Sequence, residues 1–292
     1  MTDTLKLHFL KPGLLTTVQD TGRFGYQHVG IPMNGAMDKH SARQANELVG
    51  NAPTDPVLEI TLMGPTIKVE GSGFMAITGA NLSPTCNGEP IEMYAPLELD
   101  EGDEIRFGRP QSGCRAYLAV GGEWQVQPWL ESASASAVQP DELTPQSLIK
   151  KSSVIEIVSN DALPEHVISK EDILDLSDLG IIRILPGPEF SQLSNLSVAS
   201  FFSQEFIISN DSNRMGYRLN GKVRGFEPKQ EVISSGIIPG TIQITNSGQP
   251  IVLMADAQTS GGYFRLGNVI SSDLDLLAQM KPGEKVRFVL TE

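Results

Sequence analysis

The amino-acid sequence predicts a mainly β protein, two β-domains in tandem with a few short helices. Three observations carry this. Short apolar runs recur along the whole chain, bounded by Gly, Pro, Asn and Asp, the punctuation of many short strands in barrels or sandwiches rather than of an alternating α/β sheet. Few segments show the 3.6-residue spacing of a helix. One octapeptide, Asp100 to Phe107 (DEGDEIRF), returns near the end as Lys281 to Phe288 (KPGEKVRF), each after an apolar strand that closes in a polar turn. Two copies are too few for a repeat array; they fit two related domains, or a hairpin signature shared by chance.

Taken in order, strand patterns fall at Leu14–Val18, Leu58–Leu62, Thr66–Val69, Phe74–Thr78, Glu104–Phe107 and Arg115–Val120, then at Val154–Val158, Ile181–Leu185, Phe206–Ser209, Thr241–Ile244 and Lys285–Leu290. A helix is predicted over Asp38–Val49, where Ala42, Ala45, Leu48 and Val49 share a face and Gly50 supplies the stop. A second runs from Ser272 to Met280, with Ser272 and Asp275 resembling a capping box and Pro282-Gly283 ending it. A third is a candidate over Phe190–Phe201. Asn220-Gly221 reads as the turn of a hairpin between Met215–Leu219 and Lys222–Gly225. Residues 131–153, rich in Ser, Ala, Pro and Lys without periodicity, read as a loop. The acidic stretch Glu165–Asp178 joins the halves, so the domains are placed at 1–165 and 175–292.

The chain has 292 residues, 40% hydrophobic and 20% charged, enough for packed cores. Its net charge of −13 lacks the basic footprint that nucleic acid requires, and equally disfavours attachment to anionic membrane. No apolar run approaches the ~20 residues of a membrane span, and the start lacks a signal peptide's apolar core, so a cytoplasmic protein is expected. Cys86 and Cys114 form no disulfide framework or paired metal motif, and His8, His28, His40 and His166 lack ligand spacing; no metal site is expected.

Gly216 to Val223 nearly spells a phosphate-binding loop, but Val223 stands where Ser or Thr should hold magnesium and no helix pattern follows. Lys281 after Met280 resembles a biotin-attachment lysine, but Pro282 follows it and the position suits a helix end. No nucleophile elbow, zinc-protease pattern or dinucleotide fingerprint is present.

The richest stretch is Pro250 to Phe264. A run buried on both faces, Ile251–Ala255, delivers Asp256, Gln258, Thr259 and Ser260, then Gly261-Gly262 and Tyr263. Hydroxyls and an amide at a rigid strand end can aim hydrogen bonds, and glycine lets backbone N–H groups approach an anion. The same composition also makes an ordinary hairpin turn. Arg214, Gly216 and Arg218 alternate, so on a strand they share a face, and two guanidinium forks flanking a glycine could clamp a carboxylate or carbamate. Surface arginines paired with the many acids is the other reading.

Several motifs in sequence order carry a resemblance over nearly the whole chain. Gly13 to Arg23 (GLLTTVQDTGR), Gly30 to Asp38 (GIPMNGAMD), Ala45 to Asn51 (ANELVGN), Ser212 to Leu219 (SNRMGYRL), Gly240 to Gln243 (GTIQ) and Gln258 to Tyr263 (QTSGGY) are similar to the carboxyltransferase A/B family, as is the close from Val269 to Phe288. That family includes allophanate hydrolase subunit 2, the matching part of urea carboxylase and the C subunit of bacterial 5-oxoprolinase. The resemblance implies two cyclophilin-like β-barrel domains. It implies partners as well: a B subunit with two more such domains, joined by an A subunit.

For function it implies first the C subunit of an ATP-dependent complex that opens 5-oxoproline to glutamate, the complex using ATP. The alternatives are a carboxyltransferase subunit, with biotin required only in that version, and a non-enzymatic regulator that neutralises an inhibitor related to the B subunit. The ligand would be a small amide or carboxylate. The resemblance favours the site reading: Arg214, Gly216, Arg218 and Tyr263 bind substrate. Asp256, Gln258, Thr259, Gly261 and Gly262 form the catalytic turn, with Asp256 orienting Gln258. Gln19, Asp20 and Arg23 make a possible second site. The chain departs from the family at Glu131 to Ala135 (ESASA), where Gly-Ser-Arg-Ser-Thr is usual and the arginine is missing.

Overall fold

The computed structural model describes residues 4–159, 167–177, 180–227 and 232–291. His166, both ends of the Glu165–Asp178 joint and much of the predicted junction near 160–180 lie outside the described residues. The chain forms two compact units, one from residues 1–23 and 34–176, the other from 24–33 and 177–292. Residues 24–33, which the sequence-based division leaves in the first half, belong to the second unit.

The first unit contains β1 (Thr4–Lys11), β2 (Leu15–Gln19), α1 (Lys39–Leu48), β3 (Val57–Thr61), β4 (Thr66–Glu70), β5 (Gly73–Asn81), β6 (Thr85–Cys86), β7 (Glu89–Pro90), β8 (Pro96–Leu99), β9 (Glu104–Arg106), β10 (Ser112–Val120), β11 (Gly122–Trp124), α2 (Pro140–Leu143) and β12 (Val154–Ser159). Its sheets run β11-β12-β1-β4-β9-β6-β7 and β2-β3-β10-β5-β8. Leu5, Leu7 and Phe9 of one sheet share a core with Leu58, Ile60 and Leu118 of the other, and each such burial is worth about 1.5–3 kcal/mol.

Helix α1 covers the opposite face of the five-stranded sheet through Ala45 and Leu48. Asp38 caps its start, accepting the Ser41 N–H at 2.9 Å. It ends in a Schellman turn: Gly50 takes a left-handed φ of +75°, and the N–H groups of Gly50 and Asn51 donate to the carbonyls of Glu47 and Asn46.

The second unit contains β13 (Ile181–Pro186), α3 (Asn195–Ser203), β14 (Phe206–Ile208), β15 (Gly216–Asn220), β16 (Ser235–Gly236), β17 (Thr241–Ile244), β18 (Pro250–Leu253), β19 (Ser260–Gly261), β20 (Phe264–Val269), α4 (Ser271–Ala278) and β21 (Lys285–Leu290). Seven strands close a barrel in the order β13-β20-β17-β18-β15-β14-β21, and β16 pairs with β19 as a separate ribbon. Alternation is plain in β21, where Val286 and Phe288 are buried and Lys285 and Arg287 are exposed. Phe201 of α3 stacks on Phe288 at 5.1 Å, with Phe206 beside both.

The octapeptide echo is structural. Gly102 and Gly283 have φ values of +93° and +90°. Gly102 N–H donates to Val69 O and Gly283 N–H to Ile208 O, while Val69 N–H and Ile208 N–H donate back to Asp103 O and Glu284 O. The Asp103 and Glu284 carboxylates accept the N–H groups of Asp100 and Lys281 at 2.9 and 2.8 Å. The two units thus share one turn and one register of attachment.

Three expectations are corrected. Residues 131–153 are not a loose excursion: Ala135 N–H donates to Val18 O, Val18 N–H to Ser147 O and Ile149 N–H to Thr16 O, and Ala133 and Ile149 join the core. Small side chains let this segment pack closely along β2. The hairpin around Asn220-Gly221 is not formed. β15 pairs with β18 and β14, and Lys222–Gly225 is not a strand, so the dipeptide ends a strand that pairs at long range. The same strand rules out a phosphate-cradling loop at Gly216. Helix α4 begins one residue early, after Ile270 and without a side-chain cap. Ser272 and Asp273 instead turn to Arg183, whose backbone N–H, Nε and Nη2 reach the Asp273 carboxylate at 2.7, 3.1 and 2.6 Å. The third helix candidate resolves into a 3₁₀ turn, Phe190–Gln192, followed by α3.

Phe288→Ala is expected to destabilise the chain by about 3–5 kcal/mol through transfer and cavity terms, measured by denaturant unfolding. Burial pushes the Asp273 pKa up, but the bonds from Arg183 outweigh it and hold the carboxyl below its ordinary range. A folded-state pKa below the unfolded one gives stability that is present above about pH 4 and lost as pH falls through the folded value. Asp273→Asn should therefore lower stability at neutral pH, and its deficit against the parent should shrink on acidification.

Candidate functional site

The Ile251–Ala255 run ends in a turn held by buried charge. Arg214 donates from Nε and Nη2 to the two Asp256 carboxylate oxygens, both at 2.9 Å, and both side chains are almost wholly buried. The backbones are clipped in parallel: Asp256 N–H donates to Arg214 O and Met254 N–H to Met215 O. A planar fork on a carboxylate fixes orientation as well as distance, so the chain leaves this turn at Ala257 in a set direction.

This arrangement replaces the predicted clamp. Arg214 lies in the tight turn Asn213–Gly216 that precedes β15 rather than on the strand beside Arg218, and its guanidinium is spent on Asp256. Arg218 sits exposed on β15, and Tyr263 is exposed as well. Asp256 holds Arg214 instead of orienting Gln258, whose amide makes no hydrogen bond among the described residues. The glycines have packing reasons. A Cβ at Gly216 would press on Ile251 and Val252 at 3.2 Å, and one at Gly261 would lie 2.7 Å from Gln243 Nε2. Gly261 pairs with Ser235 in the β16–β19 ribbon, and a Cβ at Gly262 would stand 3.2 Å from the Val232 carbonyl oxygen.

Gln258 and Thr259, by contrast, line a cavity of about 480 Å³ within the second unit. Its apolar walls include Phe24, Met33, Ile237, Ile238, Ala255 and Ala257, and its other polar side chains are Gln27 and His28. Thr259 O accepts the Ile237 N–H at 3.1 Å, which ties the turn to the neighbouring strand while the hydroxyl stays unbonded among the described residues. His28 was not singled out from the sequence. It sits in the 3₁₀ turn Gln27–Val29, closed by Gly30 at φ +84°, and its Nδ1 lies 2.9 Å from the Gly25 carbonyl oxygen. A larger cavity of about 680 Å³ elsewhere in this unit is the weaker candidate. Its one Arg or Lys, Arg265, donates to both Glu189 oxygens and to Ser235 Oγ, so its guanidinium is already engaged within the protein.

Gln19, Asp20 and Arg23 form a structural clasp rather than a cleft. Asp20 accepts from Gly22 N–H, Ser132 Oγ, Ser134 Oγ and Ala133 N–H at 2.8, 2.7, 2.6 and 2.6 Å. Arg23, 1% exposed, donates to Trp129 O at 3.0 Å, to Asn34 Oδ1 at 2.8 Å and to the carbonyls of Ser132 and Ser134, and lies over the Trp129 ring at 4.8 Å. Arg23 and Asn34 flank residues 24–33, so their bond closes the neck of the segment that carries His28. Gln19 is buried, with Nε2 on Thr17 Oγ1 at 2.9 Å. Ala133, where the family usually has arginine, is buried in the core. Among the described residues no group of three or more His, Cys, Asp or Glu could hold a metal ion, and no helix is long and apolar enough to cross a membrane.

The chain is similar to known proteins over nearly its full length. The model of the carboxyltransferase domain, subdomain A and B, matches residues 29–290. The chain is 37% identical to the C subunit of 5-oxoprolinase from Escherichia coli (strain K12), over 97% of this chain and 90% of that protein. Among solved structures it is similar to TTHA0988, with 31% identity and a TM-score of 0.86, covering 98% of this chain and 56% of that one. It is likewise similar to the urea amidolyase of K. lactis, with 29% identity and a TM-score of 0.90, covering 98% of this chain and 19% of that one. The chain thus spans about half or less of the solved chains it overlays.

Removing one partner from a buried ion pair typically costs ~3–5 kcal/mol, so Arg214→Ala should lower the melting temperature sharply. Arg23→Lys keeps the charge but cannot reproduce the fork, and at ~1.5–3 kcal/mol per charged hydrogen bond it should destabilise by about 3 kcal/mol. Thermal and denaturant melts of the two variants check both.

Proposed function

The chain belongs to the carboxyltransferase domain, subdomain A and B, family, and on that premise we propose that it is the C subunit of a 5-oxoprolinase-type enzyme, a complex that opens the cyclic amide 5-oxoproline to glutamate with hydrolysis of ATP. The observation that carries this reading is sequence similarity. The chain is 37% identical to the E. coli 5-oxoprolinase C subunit over 97% of its residues, against 29% to the urea amidolyase it overlays. That overlay, at a TM-score of 0.90, favours a second reading, a carboxyltransferase subunit serving separate biotin proteins.

Lactam and urea share an amide carbonyl next to an N–H, and the cavity suits such a group. The Gln258 amide and Thr259 hydroxyl are neutral donors and acceptors, held in place from behind by the Arg214–Asp256 pair and the Ile237 bond. No Lys or Arg lines the cavity, so it lacks the fixed cations that a nucleoside triphosphate calls for, and in this reading ATP falls to the A subunit. The remaining walls and the substrate carboxylate fall to the B subunit, across an interface that should bury at least ~1,000 Å².

The test is 5-oxoproline-dependent ATP hydrolysis by the purified native complex, with and without this chain. Hydrolysis is expected to require the chain. Equal rates overturn the proposal, and a biotinylated protein in the complex shifts the assignment to the second reading. In the active complex Gln258→Leu should lower kcat/KM by about tenfold, the worth of one hydrogen bond.

A further inference from the structure

Three polar groups on the wall of the 480 Å³ cavity are left without hydrogen bonds among the described residues: the Gln258 amide, the Thr259 hydroxyl and one ring nitrogen of His28. The histidine differs from the other two. Its Nδ1 meets a carbonyl oxygen, that of Gly25, at 2.9 Å. A carbonyl can only accept, so Nδ1 carries the ring proton and Nε2 of the neutral imidazole presents a lone pair. His28 is also the one titratable side chain among the lining residues. The wall therefore offers two groups able to donate to a carbonyl oxygen and one group that, in this tautomer, can only accept.

We propose that His28 determines specificity in this cavity by reading the amide N–H of the ligand, with Nε2 as acceptor, while Gln258 and Thr259 donate to the ligand carbonyl. The proposal rests on the reading of the cavity as an amide site. It adds that the ligand must carry a free N–H. The locally closed turn from Gly25 to Gly30 holds the ring: Gly25 N–H donates to Gln27 Oε1 at 3.1 Å and Gly30 N–H to Gln27 O at 3.0 Å. The imidazole is thus preorganised by short-range bonds before any ligand arrives.

The proposal is tested on the full chain alone, by NMR titration with two rings of the same size. 2-Pyrrolidinone has the N–H and the carbonyl; cyclopentanone has a methylene in place of the N–H. One neutral hydrogen bond corresponds to about tenfold in affinity, so 2-pyrrolidinone should bind about ten times more tightly and should move the His28 ring nitrogen signals. In His28→Asn the amide nitrogen stands where Nδ1 was, keeping the bond to Gly25, and nothing stands where Nε2 was. The preference should then fall to about twofold or less, with an unchanged melt. Equal binding of the two rings to the parent chain, a preference that survives in His28→Asn, or no saturable binding of either ring would overturn the proposal. Should the variant melt early, the parent ratio and the His28 ring shift decide alone. The titration uses neither ATP nor a partner. A native complex that hydrolyses no ATP with 5-oxoproline would remove the proposed function and leave this result to judge the cavity.

Discussion

The buried guanidinium of Arg23 is the contact on which most else depends. A charge taken out of water is costly unless every side of it is hydrogen bonded. Here the ring face of Trp129, three backbone carbonyls and the Asn34 side chain surround it. That requirement orders two segments that lie outside the named strands. One is the Ser-rich stretch after Trp129, which the Asp20 carboxylate grips from the other side through two hydroxyls and a backbone N–H. The other is residues 24–33, whose two ends Arg23 and Asn34 hold together.

A second guanidinium plays the same part in the other unit, where Arg214 fixes the Asp256 turn. In both places arginine and aspartate side chains are spent on internal order, and no Arg, Lys, Asp or Glu lines the cavity. This division has a chemical consequence. A buried ion pair is weak evidence for net stability, and in the proposed site an amide, a hydroxyl and an imidazole would discriminate by the direction of their hydrogen bonds.

What was legible in the sequence follows the range of the interactions involved. Helix α1 was readable because its signals are local: Asp38 caps it, Gly50 stops it and its apolar face has helical period. The repeated turn was readable because a glycine and a carboxylate within four residues dictate it. Gln258 and Thr259 were singled out because they follow a buried strand, and they line the 480 Å³ cavity. The Ser/Ala stretch was missed because small residues carry no periodicity, and its packing is set by Asp20 and Arg23 more than a hundred positions away. The arginine clamp failed for a related reason. Alternation shows which residues would share a strand face, but not where the strand begins, nor that Asp256 already holds one of the two forks. His28 lacks any ligand spacing and becomes visible only when residues 24–33 are seen to belong to the second unit.

That last arrangement also sets a timetable for synthesis. Residues 24–33 leave the ribosome early, and the rest of their unit begins only at Ser177, after the whole of 34–176. At ~5–20 residues per second the delay is roughly 7–30 s. During that interval Phe24 and Val29, large apolar side chains that are exposed even in the finished fold, have no barrel to approach. The Arg23–Asn34 bond needs only the first unit, so the nascent chain can present this segment as a closed loop rather than a loose end. A single cut in the chain therefore cannot yield a complete second unit, because its first piece is made with the other one.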